Sequence, residues 1–452
     1  MSKAIEYCKN VFDGTHDTPK PTESGYKLLT SKNILNGNLD KANAYFISKE
    51  DYEAINKRSK VQQWDVLFSM IGTVGNVCLI TEENIDFAIK NMGVFSCEDE
   101  KKAKWLYYYL QSPYAKQLMK NYLNGAIQKF LPLEWLRNLQ IPDYDSSKEN
   151  IVQILWSIDS KIVQNNSVYT ELESMAKTLY DYWFTQFDFP NEEGKPYRSS
   201  GGAMEWNEQL KREIPKGWEA GQLSDIANIT MGQSPAGETY NEDGNGTIFY
   251  QGCTDFGTRF PVPRVYTTAP TRFAQAGDIL MSVRAPVGTL NVAIEDCSIG
   301  RGLAALNSKI GSQLYLWYTL AGFKQLFSVL DGNGTTFGSI TKDALYGMKV
   351  VIPNPTQVRA FEKIVQPIEQ KIRVIEEENR ELTKLRDWLL PMLMNGQATV
   401  CDSEQNVVDI SVKHWPEQQF AVRQAARIYD DTKPDDTADL IKAYLKRKEN
   451  ES

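Results

Sequence analysis

Histidine is nearly absent from this chain: among 452 residues there are two, His16 and His414. A multi-histidine metal site and an H-E-x-x-H helix are thereby excluded, and a Ser-His-Asp triad would depend on a residue near one end of the chain. The six cysteines (Cys8, Cys78, Cys97, Cys253, Cys297, Cys401) form no C-x-x-C pair. That argues against a zinc site or a disulfide framework and for reduced thiols. No apolar run approaches the roughly 18 residues of a membrane span. The segment Met1–Glu6 lacks the apolar core of a signal peptide, so a cytoplasmic protein with no membrane partner is expected. There is no G-x-x-x-x-G-K-[ST] phosphate loop and no G-x-G-x-x-G after a strand. The Asn-Pro-Pro-aromatic motif of amino-methyltransferases is missing too; Asn354-Pro355-Thr356 does not match it.

Positive charge is also in short supply. The formal net charge is −8, and by region it runs +2 over 1–142, −6 over 143–213, −1 over 214–352, 0 over 353–400 and −3 over 401–452. The acidity therefore lies between and after the segments described next. This balance leaves DNA binding open but argues against strong DNA binding without help.

What is present is said twice, about 210 residues apart. Trp64-Asp65-Val66-Leu67-Phe68-Ser69-Met70, followed by Val74-Gly75, recurs as Gly277-Asp278-Ile279-Leu280-Met281-Ser282-Val283, followed by Val287-Gly288. Ile158-Asp159-Ser160-Lys161-Ile162 recurs as Ile368-Glu369-Gln370-Lys371-Ile372. A repeat this long is a domain, not a solenoid unit. In the first copy, Val66–Ile71, Asn76–Ile80 and Gly93–Ser96 read as strands and Lys102–Tyr122 as one or two helices. In the second, Asp278–Val283, Asn291–Ile294 and Leu303–Leu306 read as strands and Gln313–Leu330 as helix. Each copy is expected to be an α+β domain.

A long helical pattern follows each copy. Ile151, Leu155, Ile158, Ile162, Asn165, Tyr169, Leu172, Ala176, Leu179 and Trp183 step by four and three. So do Phe361, Val365, Ile368, Ile372, Ile375, Asn379, Leu382, Arg386, Leu389 and Leu393. This is a coiled-coil seam, and each helix would be roughly 55 Å long. The natural partner of each is the other, packed antiparallel, with Asn165 and Asn379 fixing register. Pro367 predicts a kink or a boundary in the second helix. The expected organisation is a globular domain over 1–145, a coiled-coil helix over 146–187, a linker over 188–213, a second globular domain over 214–353, a second helix over 354–396 and a tail over 397–452. In the tail, 417–429 and 436–448 read as short amphipathic helices. The aromatic cluster Tyr180, Tyr182, Trp183, Phe184 and Phe187 has two readings: core where helix meets domain, or a docking surface for a partner.

The central string carries a family resemblance. Leu179-Tyr180-Asp181-Tyr182-Trp183-Phe184, Phe187-Asp188-Phe189-Pro190, Gly194-Lys195-Pro196-Tyr197-Arg198-Ser199-Ser200-Gly201-Gly202 and Ile214-Pro215-Lys216-Gly217-Trp218 resemble the middle of specificity (S) subunits of type I restriction–modification systems. Leu389-Leu390-Pro391-Met392-Leu393-Met394-Asn395-Gly396 resembles the end of their second conserved helix. The resemblance covers roughly residues 1–400; the Ile-Pro-x-Gly-Trp entry is missing before the first domain, and the tail lies outside it. It implies a non-catalytic subunit with two target recognition domains and two long helices, arranged with pseudo-twofold symmetry. The domains would read an asymmetric, bipartite site on double-stranded DNA. The helices would act as a ruler and dock two methyltransferase subunits, through which two restriction subunits join. It implies no cofactor and no metal on this chain: S-adenosylmethionine, ATP and Mg would sit on the partners. A scaffold that reads no DNA, a subunit of a related two-subunit system and a standalone nuclease are the competing readings.

Base reading needs Arg, Lys, Asn, Gln and small polar side chains on exposed loops. In the first domain these are Thr18 and Lys20 in the turn 15–20, Ser31, Lys32 and Asn33, then Lys90 and Asn91, then Gln128 and Lys129. In the second they are Gln233, Ser234, Gln251, Arg259, Arg284, Arg301, Thr335 and Thr336, the last two in the glycine-rich turn 332–338. Each has a plainer alternative as a solvated charge or turn former, and Arg301 as a structural ion pair. The docking candidates are Tyr180, Trp183, Phe184 and Phe187.

Overall fold

The computed structural model describes residues 1–35, 37–124, 130–332, 338–402 and 408–412. The sequence repeat is a repeat of topology. In the first copy the strands Asn10–Asp13, Met92–Ser96, Asp65–Ser69 and Val77–Leu79 lie side by side in that order in one antiparallel sheet. In the second, Ala227–Met231, Leu303–Ser308, Ile279–Ser282 and Leu290–Val292 take the same order. Each copy adds a second sheet built on a parallel pair, Tyr26–Thr30 with Phe87–Lys90 and Thr247–Tyr250 with Cys297–Ile299.

The turn that opens the repeated strand is set by hydrogen bonds that recur in both copies. The Trp64 N–H donates to the Ile80 carbonyl (2.7 Å), and the Gly277 N–H to the Ala293 carbonyl (2.8 Å). The Asp65 carboxylate accepts the Gln62 N–H (2.8 Å), and that of Asp278 the Gln275 N–H (2.9 Å). The turn demands a left-handed backbone: φ is +89° at Gly277 and +67° at Trp64. Glycine adopts this freely, whereas a side chain at Trp64 costs about 1–2 kcal/mol there.

After the strands, the first copy has two helices, Glu100–Gln111 and Pro113–Asn124, where the second has one, Gln313–Gly332. Ser112 and Pro113 cause the difference. The Ser112 hydroxyl caps the Ala115 N–H (3.2 Å), and proline suits the first position of a new helix.

The long helices are Glu149–Tyr180 and Pro355–Met394. Pro367 neither ends nor bounds the second one, correcting the boundary reading. Its ring lies on the exposed face of the helix, which runs on through it.

The chain forms two compact units, and each helix is divided between them: Met1–Ile162 with Leu382–Ser452, and Val163–Glu381. In the first unit Leu155 and Ile158 share a core with Leu382, Leu389 and Leu393. There Arg386 Nη1 donates to Asp159 Oδ1 (3.0 Å), and Tyr108 Oη donates to Asp159 Oδ2 (2.7 Å). In the second unit Ala176 shares a core with Phe361, Val365, Ile368 and Ile372. Asn165 Nδ2 donates to Asn379 Oδ1 (2.9 Å), and Asn379 Nδ2 donates to Asn166 Oδ1 (2.9 Å). Glu173 and Glu369 both face Arg259, so residue numbers rise on one helix as they fall on the other: the pairing is antiparallel.

The stretch 188–213, read from sequence as a linker, is folded. Asp188 accepts the backbone N–H (2.8 Å) and hydroxyl (2.7 Å) of Ser199. Phe189 stacks on Tyr197 and Trp218, and Met204–Asn207 pairs with Arg212–Pro215. The aromatic cluster resolves to its core reading. Trp183, Phe184 and Phe187 are buried, and Phe184 meets Tyr315 and Phe361 at 4.8 and 5.1 Å between ring centres. Tyr180 is half-buried, its hydroxyl 3.0 Å from Thr319 Oγ1. These four side chains are spent inside the second unit and are withdrawn as a docking surface. Beyond the second helix, Ala398–Asp402 and Val408–Val412 form an antiparallel hairpin. The helices read at 417–429 and 436–448 lie outside the described residues. No helix among the described residues is long and apolar enough to cross a membrane.

Candidate nucleic-acid interface

Three segments meet at one edge of each repeat, and the same three in both. The first is a turn entered through a glycine packed against backbone. A Cβ on Gly14 would lie 2.5 Å from the Ile89 carbonyl oxygen, and one on Gly232 2.2 Å from that of Gly300. The Gly14 N–H donates to Met92 O (2.8 Å), and that of Gly232 to Leu303 O (2.9 Å). This fixes Thr15-His16 and Gln233-Ser234 beside the second segment, Lys90-Asn91 in one copy and Arg301-Gly302 in the other. Lys90 and Arg301 each stand two residues before the strand residue that accepts the glycine. The third segment leaves the parallel strand: Ser31 after Thr30, Gln251 after Tyr250. The Ser31 hydroxyl donates to Asn91 O (2.9 Å), and the Gly302 N–H donates to Gln251 O (3.2 Å). Loops beyond the carboxyl ends of parallel strands are a recurrent place for ligands.

In the first repeat this edge presents Lys20 and Lys32, both exposed. Lys90 Nζ donates to the Thr18 hydroxyl. Sequence reasoning passed over Asp13 and Arg58. Arg58 Nη2 donates to Asp13 Oδ1 (2.7 Å), while His16 lies 3.0 Å from Asp13 Oδ2 through Nε2 and 2.8 Å from Asn91 Oδ1 through Nδ1. The basic run Lys57-Arg58-Ser59-Lys60 at the end of the helix Lys49–Ser59 was the available signal. In the second repeat Gln233, Gln251, Arg284 and Arg301 are exposed, and Ser234 accepts the Arg301 N–H (3.2 Å). Arg284 joins them because the Val283 N–H donates to Gly302 O (2.9 Å). Among the described residues neither guanidinium has an ion-pair partner, so the ion-pair alternative for Arg301 finds no support there. Arg272 is a further exposed cation here, its carbonyl accepting the Ile299 N–H (2.9 Å).

Two candidates fall away. Asn33 is buried, its Oδ1 accepting the Thr30 N–H (2.9 Å) and its Nδ2 donating to Asp40 O (3.0 Å), so its amide folds a turn. Arg259 is 1% exposed and grips Glu369 with Nε (2.9 Å) and Nη2. No base edge reaches it. Ser31 is also buried, with its hydroxyl committed to Asn91, so it shapes the edge. Gln128, Lys129, Thr335 and Thr336 lie outside the described residues.

Residues 15–174 and 215–384 each match the type I restriction modification DNA specificity domain. The chain belongs to this family. The two matched segments lie about 200 residues apart, so the family model, like the sequence repeat, occurs twice in the chain. The chain is 29% identical over 389 residues to the MjaX type I restriction enzyme specificity subunit of Methanocaldococcus jannaschii, covering 83% of this chain and 88% of that one. It is 23% identical over 321 residues to the HindI specificity subunit of Haemophilus influenzae, covering 58% and 69%. The type I restriction-modification system S subunit from M. genitalium shares the fold, with a TM-score of 0.50 and 17% identity over 87% of this chain and 95% of that one. This is a type I specificity subunit with two DNA recognition domains; it selects sequence and does not catalyse.

Proposed function

We propose that the two edges read the two halves of a split, asymmetric DNA site for a methyltransferase and restriction complex. The observation that carries this reading is the repeated meeting of three loop segments, bearing different side chains in each copy. The first edge offers Lys20, Lys32, Lys90 and the His16–Asn91 pair. The second offers Gln233, Gln251, Arg284 and Arg301. Arginine forks suit guanine, and glutamine suits adenine. Unlike edges on one chain read unlike half-sites, so the site need not be palindromic. Loss of Arg284 or Arg301 is expected to cost ~1–3 kcal/mol and relax one base position in one half only.

The long helices set the distance between half-sites and carry two methyltransferase subunits, with two restriction subunits beyond them. The docking surface moves from the buried aromatics to the exposed apolar positions Val163, Val168, Ile364 and Val374 on these helices. The partners supply S-adenosylmethionine, ATP and Mg, and most phosphate contacts, which accommodates a chain of net charge −8. The test is genome-wide adenine methylation by single-molecule sequencing, with the cognate methyltransferase subunit expressed with and without this chain. A new bipartite motif that needs this chain supports the reading. No motif despite a stable complex would leave a scaffold and discount the contacts named above.

A further inference from the structure

The two repeats hold an acid at the same place and neutralise it from different places. Asp159 and Glu369 are equivalent in the sequence repeat, as are Tyr108 and Tyr318. In the first unit Asp159 takes its hydrogen bonds from Tyr108 and from Arg386, a residue of the second long helix. In the second unit the position equivalent to Arg386 is Ala176, which is buried and brings no charge. The Tyr318 hydroxyl finds no partner there among the described residues. Glu369 is met instead by Arg259, which comes from the recognition domain.

Arg259 is unusually committed. Its guanidinium forks onto Glu369, faces Glu173 Oε2 at 3.5 Å and lies 3.5 Å from the centre of the Trp317 ring. It thereby joins a recognition-domain loop to both long helices. That loop is itself rigid: Phe256 bridges Pro261, the Val292 N–H donates to Arg259 O (2.9 Å) and Asn291 Nδ2 donates to Gly257 O (3.0 Å). The loop leaves the same strand, Thr247–Tyr250, whose next residue is Gln251 on the reading edge. A bidentate, stacked arginine fixes direction as well as distance, which lysine cannot do.

We propose that Arg259 is a positioning residue for DNA recognition: it rivets the second recognition sheet to the helix pair and so fixes the spacing at which the second half-site is read. It rests on the reading of the two edges given above. Asp159 in the first unit is held by a helix arginine and a domain tyrosine, so no reading-sheet loop is tied in this way there among the described residues. Loss of the rivet therefore loosens the placement of one half-site and leaves base preference within both halves intact.

The experiment uses the full chain with its cognate methyltransferase subunit and DNA duplexes carrying the bipartite motif found by methylation sequencing. The spacer is varied by one base pair either way. The wild-type complex is expected to lose at least about tenfold in affinity for either change. Arg259→Met, and Arg259→Met with Glu173→Gln and Glu369→Gln, which neutralises the two acids the guanidinium pairs with, are expected to bind all three spacers within about threefold. Arg259→Lys is expected not to restore the wild-type profile. A general loss of folding would weaken every spacer alike and would be visible by circular dichroism; the triple variant guards against it. If the folded variants keep a single sharp spacer, the rivet role is wrong. If the wild-type chain yields no motif at all, the edge reading fails first.

Discussion

Two buried acids at repeat-equivalent positions, Asp65 and Asp278, cap the turn that opens the central strand of each sheet, but their surroundings differ. Both oxygens of Asp278 are engaged, by Gln275 N–H and by Asn307 Nδ2 (2.9 Å each). Burial pushes the Asp65 carboxyl up to about 6, only partly opposed by the neighbouring Ser96 and by the hydrogen bond from the Gln62 N–H, and its Oδ1 has no hydrogen-bond partner among the described residues. Because this folded value lies above that of the unfolded chain, about 3.9, the contribution of Asp65 to stability is fully present below pH ~4 and is lost as pH rises through ~6. Asp65→Asn keeps the acceptor for Gln62 without the buried charge. Its stability relative to wild type is expected to rise between pH 4 and 7.5 by on the order of 2–3 kcal/mol, read from urea midpoints; an identical difference at both pH values would sink this account. Phe184 offers a plainer case. Packed against Trp183, Trp218, Tyr315 and Phe361, it should cost ~3–5 kcal/mol as Phe184→Ala, again by urea unfolding. A change under ~1 kcal/mol would return it to the surface. Neither value was legible from sequence. Aromatic spacing shows that a helix is sticky, not which neighbour it sticks to, and Arg259 reaches acids 86 and 110 positions away in the chain.

At the scale of elements, the periodic signals were readable. Strands read at Val66–Ile71 and Asp278–Val283 from the repeated W/G-D-hydrophobic run are found at Asp65–Ser69 and Ile279–Ser282, and helices read over 146–187 and 354–396 from the 3/4 seams are found at Glu149–Tyr180 and Pro355–Met394. Asn165 and Asn379 do meet across the seam. What escaped were elements without period: the parallel pairs, whose strands are separated by about 50 residues or more, and the folded stretch 188–213, whose glycine and serine content mimics a linker. At the interface, the turns and loop ends were legible because glycine and polar residues mark them, whereas Arg58 lay hidden as one more cation on a helix. The seams also define what is left over. Val163, Val168, Ile364 and Val374 lie off the seam and exposed. Val374→Asp is expected to abolish co-purification with the methyltransferase subunit while leaving the far-ultraviolet circular dichroism and melting point near wild type. Retained co-purification would place the docking surface elsewhere.

For the molecule as a whole, each compact unit owns only part of each long helix: the first takes residues up to 162 and from 382, the second the stretches between. A chain whose domains each kept a private helix would melt in steps, the weaker domain first. Here, melting one core strips apolar side chains from two helices whose remaining turns the other core still requires, and a long charged helix without a partner does not persist in water. Heat is therefore expected to produce one transition in differential scanning calorimetry, with the calorimetric and van't Hoff enthalpies equal. Two resolved peaks would show that the helices fray at the division and let the halves part company. A single peak carries a cellular corollary: a destabilising substitution in one recognition domain lowers the folded population of the entire subunit, so proteolysis removes a damaged reader whole rather than leaving half of one at work.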